Sequence, residues 1–213
     1  MNMKIILAAV EPPLADAYER FCGGLRGVTI HRGSILDVEC DAVVSPANSF
    51  GFMDGGIDGV YLDHFGPEIQ TRVRRAIFDR HHGELLVGAA DVVETGDPAI
   101  PYLIAAPTMR VPMVLQESVN PYLAARAVFL LLSRGRFPDG PDAGRPIGEK
   151  IRTVALPGMG TGVGRIGSNT CARQVRAAIE EIALGGYEMP TSWAEASERH
   201  QRLYTDRPRR LQS

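Results

Sequence analysis

An asparagine and an aspartate ten residues apart, Asn48 and Asp58, lie in the stretch SPANSFGFMDGGIDG, with Pro46 and four glycines between Ser45 and Gly59. A carboxamide can both donate to and accept from hydroxyl groups. A carboxylate can orient or deprotonate a water within hydrogen-bond reach. The pair therefore has the chemistry to hold a hydroxylated ligand and to activate water against it. Taken singly, Asn48 also reads as a turn former after a strand, and Asp58 as a helix N-terminal charge favoured by the macrodipole. The glycines admit positive φ and let a ligand approach the main chain closely.

A second segment of the same kind is PGMGTGVGRIG, following the apolar run IRTVAL. Each segment leaves a strand and leads into a helix. In an open α/β sheet, ligands bind at the carboxyl ends of strands. Successive free N–H groups beside a helix N-terminus form a cradle for phosphate. Two cradles on one sheet edge suit a diphosphate. Neither loop contains Lys, and Arg165 is its only cation, so backbone amides must do most of the holding. Gly162, Gly164 and Gly167 also match the GxGxxG dinucleotide fingerprint, which raises an NAD-dependent oxidoreductase as a rival. Its context is wrong. That fingerprint needs a following strand with an acidic residue ~20 residues on, whereas GGYEMPTSW and a polar segment follow here.

The elements that must position these loops alternate. MKIILAAV, VTIHRG, DAVVS, LLVGAADVVET, YLIAAPTM and IRTVALPG read as short apolar strands. LADAYERFC reads as a short helix. GPEIQTRVRRAIFDRHHG carries Ile69, Val73, Ile77 and Phe78 on one helical stripe. NPYLAARAVFLLLSRG is a helix capped by Asn120 with Pro121 in its first turn, and SNTCARQVRAAIEEIAL is opened by Ser168 and ended by Gly185-Gly186. Such alternation indicates an α/β domain with a mainly parallel sheet covered on both faces. One domain over residues 1–190, followed by a polar, Arg-rich helix and tail over 191–213, is the expected organisation. Trp193 and Tyr187 are expected to pack the last helix.

A formal net charge of −2 provides no basic field for nucleic acid. Cys22, Cys40 and Cys171 are widely spaced and odd in number, which fits buried thiols in a reducing cytoplasm. The apolar run near the N-terminus is too short for a membrane span and reads as a first strand. His31, His64, His81, His82 and His200 show no metal-ligand spacing, so neither metal nor cofactor is expected. His64 follows Asp58 on the same helix and could approach the site.

GSILDVECDAVVSPANSFGFMDGGIDG resembles the start of a macrodomain, the ADP-ribose-binding α/β module. PANS supplies Asn48, GGIDG supplies Gly55, Gly56 and Asp58, and the following helix ends in FGP, as the family's often does. LPGMGTGVGRIG resembles the family's phosphate loop. APTMRVP and NPYLAARAVFLLL are similar to a bacterial and phage branch. The resemblance runs from about Val28 to about Ile182. It implies a three-layer α/β/α fold with a central mixed, mostly parallel sheet, and a site for ADP-ribose, free or carried on a protein or small molecule. Ser34, Ile35, Ala47, Ser49, Asp54, Gly55, Gly56 and Ile57 would contact the ligand from the first half. Gly158, Gly160, Thr161, Gly162, Val163, Gly164 and Arg165 would do so from the second. In hydrolytic members the Asn positions the distal ribose and the Asp activates water. The bond cut is a protein ADP-ribosyl ester, ADP-ribose 1″-phosphate or O-acetyl-ADP-ribose. Other members are readers without turnover. This chain departs from the pattern at four places. Ser34 stands where an Asp usually accepts from the adenine amino group, and a hydroxyl accepts more weakly. Ser45 replaces the first Asn. Asp54 replaces a common Gly, and would repel pyrophosphate unless it points elsewhere. The aromatic that commonly follows the Gly-Val of the second loop is missing. Phe50 or Phe52 could line the distal ribose.

Overall fold

A computed structural model describes residues 3–46 and 48–209. The strands are β1 (Lys4–Ala9), β2 (Val28–Arg32), β3 (Ala42–Ser45), β4 (Asp91–Glu94), β5 (Tyr102–Ala105) and β6 (Thr153–Leu156). The helices are α1 (Pro12–Cys22), α2 (Gly56–Phe65), α3 (Glu68–His81), α4 (Asn120–Arg134), α5 (Ile147–Lys150), α6 (Ser168–Ala178) and α7 (Trp193–Arg202). The strands form one sheet in the order β2-β1-β6-β3-β5-β4. Every neighbouring pair is parallel except β4 with β5. The sheet is thus mixed and mostly parallel.

Strand residues alternate between two cores. Ala42 and Val44 of β3 join one, with Leu14 and Tyr18 of α1, Phe129 of α4 and Val175 of α6. Val43 joins the other, with Tyr61 of α2 and Ile69, Val73 and Ile77 of α3. Helices therefore cover both faces, and the three layers follow. Because both faces are dry, the central strands are apolar throughout rather than alternating with polar residues. All four residues of β3 are buried.

Several local expectations are corrected. α1 begins at Pro12, two residues before Leu14, since a first-turn proline lacks only an N–H that would be unpaired anyway. Asn120 does not cap α4. It is the first helical residue, after Val119 at the cap, and its Nδ2 donates to the Thr108 carbonyl at 2.8 Å. That bond ties α4 to the chain leaving β5. Ser168 is likewise the first residue of α6, with Gly167 at the cap. α6 continues as a π-turn over Ile179–Ala183 before reaching Gly185. Phe78 is 72% exposed, one position beyond Ile77 and so turned off the buried stripe of α3. Of LLVGAADVVET only Asp91–Glu94 pairs as a strand. Trp193 is 71% exposed and does not anchor the helix in the core. α7 is held instead by polar contacts, among them Arg173 Nη1 donating to the Arg202 carbonyl at 3.4 Å. Among the described residues no helix is long and apolar enough to cross a membrane. All three cysteines are buried free thiols.

Candidate functional site

β3 ends at Ser45, and the first loop is organised by Asn48. Its Oδ1 accepts from Phe50 N at 3.1 Å and Phe52 N at 3.3 Å, while Nδ2 donates to Phe52 O at 2.8 Å. Both acceptor positions and one of two donor hydrogens are therefore engaged. The carboxamide lines the cleft with one N–H left to offer, and it has no acceptor to offer. That narrows the dual role expected from the sequence. Ser49 is buried and does not line the cleft; its amide donates to Met109 O at 3.1 Å. Its expected contact with a ligand is corrected accordingly. Ala47 lies outside the described residues. Gly51 has φ 70°, and a Cβ there would press on Val73 and Ile77 of α3, each at 2.9 Å. The loop is thus clamped by a helix that is distant in sequence. Phe52 stands at the mouth with the Arg74 guanidinium 4.2 Å from its ring centre.

α2 starts at Gly56, whose φ is 58°, after Gly55 at the cap, and no side chain caps it. Its first amides are open to the cleft, and a Cβ on Gly55 or Gly56 would meet nothing within 4 Å. Asp58 lies in this first turn but is only 1% exposed, and its Oδ1 has no hydrogen-bond partner. Burial pushes its pKa up to about 7, and the Ser45 hydroxyl pulls the other way. An unpartnered buried carboxylate is costly to keep. Burial raises the Tyr61 phenol well above its ordinary value, with the Asp58 charge adding to it, and its hydroxyl donates to Val44 O at 3.0 Å.

The second loop follows β6. Tyr18 of α1 donates to Pro157 O at 3.0 Å and so fixes where the loop begins. A Cβ on Gly158 would run into the Thr161 side chain and Leu14, and one on Gly164 into the Gly160 carbonyl. Arg165 N donates to Gly162 O at 3.0 Å and Ile166 N to Gly160 O at 3.1 Å. Among the described residues, the amides of Gly160, Thr161, Gly162, Val163 and Gly164 donate to nothing in the protein. Runs of free amides are the arrangement in which backbone binds anions. Arg165 has φ 53°, is exposed and does not line the cleft, so the one loop cation is corrected to a solvent-facing residue. Replacing Tyr18 with Phe should leave the buried Pro157 carbonyl without its donor, a loss of about 1–3 kcal/mol. Thermal denaturation should show Tm lower by roughly 2–12 °C for a chain of this size; an unchanged Tm would mean that the hydroxyl does not anchor the loop.

The two loops face each other across a cleft of about 450 Å³, within the range of small-molecule sites. Ser34, Ile35, Asn48, Asp54, Gly55, Gly56, Ile57 and Asp58 line it, as do Gly158 and the run Gly160–Gly164. Two further walls were missed from the sequence. One is the exit of β1 and start of α1, Ala8 to Glu11 with Leu14. The other follows β5 and includes Thr108, Met109 and Pro112. The rule that ligands sit at strand carboxyl ends would have found the first, since β1 ends on the same edge. The Ser34 Oγ accepts from Leu36 N at 3.2 Å, capping a 3-10 turn over Ile35–Asp37. His64 pairs with Asp97 at 3.2 Å and stays out of the cleft. Among the described residues the cleft's charged groups are Glu11, Asp54 and Asp58, with no cation. Among them, too, no group of three His, Cys, Asp or Glu side chains is placed to hold a metal. No strand follows Gly167 in the described residues, so the GxGxxG run is not the opening of a dinucleotide-binding unit.

The α/β domain thus carries two runs of open amides and a buried carboxylate lining one cleft. The Macro domain family model matches residues 44–175, more than half of the chain, and the chain belongs to that family. An uncharacterized protein of Aquifex aeolicus is 33% identical over 155 residues, covering 73% of this chain and 80% of that protein. One of Pyrobaculum aerophilum is 31% identical over 166 residues, covering 76% and 78%. The fold is similar to that of the macrodomain of Mycobacterium tuberculosis DarG, with a TM-score of 0.57 at 21% identity over 72% of this chain and 90% of that one. It is also similar to the Oceanobacillus iheyensis macrodomain with ADP, at TM-score 0.54 and 19% identity over 69% and 71%. A mutant of that macrodomain with ADPR gives TM-score 0.54 at 18% identity over 69% and 73%.

Proposed function

We propose that this chain binds ADP-ribose, free or attached to a protein or small molecule, and hydrolyses the substituent on the distal ribose. The carrying observation is Asp58, a carboxylate without a partner for Oδ1, lining the cleft between two rows of open amides. The amides at Gly55–Asp58 and Gly160–Gly164 would take the pyrophosphate, compensating for the lack of cations. Structures of the Oceanobacillus macrodomain with ADP and ADPR support this choice of ligand. Asp58 would accept a proton from water as its oxygen attacks, and the ester carboxylate or phosphate would leave as an anion. The remaining Asn48 N–H would hold a distal-ribose oxygen. Asn48's commitment to its own loop favours a second reading, a reader that binds without turnover.

Calorimetric titration with ADP-ribose, ADP and ribose 5-phosphate tests the binding step. ADP-ribose should bind in the micromolar range and more tightly than either fragment, because only it spans both cradles and the Asn48 end. Failure to bind ADP-ribose would overturn the proposal. Binding without turnover of an ADP-ribosyl ester would establish the reader.

A further inference from the structure

We infer that Glu11 selects the nucleobase, accepting a hydrogen bond from an amino group of a base held between the exits of β1 and β2. This rests on the reading above. Asn48, Asp58 and the two runs of open amides line the same cleft. The wall formed by Ala8, Ala9, Val10, Leu14, Ile35 and Pro157 is apolar, as a planar base requires. Two polar side chains border it, Ser34 and Glu11. They occupy matching places, each two residues beyond its strand. β1 and β2 run side by side with Ala9 opposite Arg32, and Gly33 N donates to Ala9 O at 3.0 Å.

Ser34 already accepts from Leu36 N. Glu11 is differently placed. It stands at the N-cap of α1, but its side chain caps nothing, the helix being served by its main-chain carbonyl, which accepts from Leu14 N and Ala15 N at 3.1 Å. The nearby cation Arg32 is paired with Asp16 at 2.8 Å, and among the described residues Glu11 makes no ion pair. Among the described residues its side chain has no hydrogen-bond or ion-pair partner, and Glu11 lines the cleft as an acceptor without a donor function. Such a group favours a base edge that presents an amino N–H and disfavours one that presents a carbonyl oxygen in the same place.

The test is calorimetric titration of the full chain and its Glu11→Gln variant with ADP, IDP and the diphosphate of unsubstituted purine riboside. The side chain is exposed and its replacement isosteric, so folding is not at stake. The unmodified protein should prefer ADP to IDP by about tenfold, the scale of a hydrogen bond to a charged group. In Glu11→Gln that preference should collapse, because a carboxamide can donate to the IDP carbonyl. Affinity for the unsubstituted purine should stay within about twofold, there being no amino group to lose. An ADP-to-IDP ratio unchanged by the substitution, or a native preference for IDP, overturns the role of Glu11 while leaving ADP-ribose binding intact. A protein that binds neither ADP nor ADP-ribose overturns the proposed function and this inference with it.

Discussion

Replacing Asp58 with Asn is expected to lower turnover of an ADP-ribosyl ester by about 10²-fold or more, as loss of a general base predicts, while ADP-ribose affinity changes little. Asn keeps the shape and removes the proton acceptor. The wild-type rate should rise with pH through about 7, the value to which burial lifts this carboxyl, because only the ionised form takes a proton from water. In Asp58→Asn that limb should vanish. A rate or pH profile unchanged by the substitution would remove Asp58 from the mechanism.

The same group sets a stability signature. Its folded pKa lies above its unfolded value, so the unfolded chain gives up the proton first. Stability from keeping the group neutral is complete below about pH 4 and is lost as pH climbs to about 7. Above that, a charge is buried with one oxygen unpartnered. Asp58→Asn should therefore match the native protein in stability near pH 4 and exceed it at pH 8, by on the order of 4 kcal/mol, with a correspondingly higher Tm. Equal Tm values at pH 8 would mean that the carboxylate is not strained in the native state. A buried carboxylate that destabilises its own fold fits the proposed role, since proteins commonly exchange stability for activity.

The second large effect is expected in the loop after β6. Gly164→Ala places a Cβ against the Gly160 carbonyl and 2.9 Å from Leu115 Cδ1. A carbonyl in a tight turn has nowhere to go, so the run Gly160–Gly164 must open. Losing the aim of even one or two amides on a charged phosphate should weaken ADP-ribose binding about 10²-fold. Gly162→Ala is the matched control, since a Cβ there meets nothing within 4 Å, and its affinity should remain within a few-fold of the native protein's. Similar losses in the two variants, measured by titration, would show that the amides do not carry the anion.

Much of the frame was legible in local composition. Apolar β-branched runs such as AVVS mark strands buried on both faces, and glycines clustered after two of them mark open backbone at the ligand edge. Side-chain roles were harder to read. Arg165 sits among the cradle glycines in sequence, yet its positive φ turns it to solvent. Ser49 follows Asn48, yet it is buried beside the chain leaving β5. Glu11 belongs to no motif and reaches the cleft because β1 and β2 are neighbours in the sheet.

The order of elements, the two amide-bearing loops and the presence of Asn48 and Asp58 belong to the sequence alone, because they depend on residue type and on near neighbours. What those two residues can do was decided by the tertiary structure. Asn48 becomes a donor only after its loop closes on itself. Asp58 becomes a group that titrates near neutrality only because α2 packs it against the end of β3 and excludes water. Hydrogen-bond saturation and desolvation depend on which distant segments pack together, and for that reason neither can be read from a residue's identity.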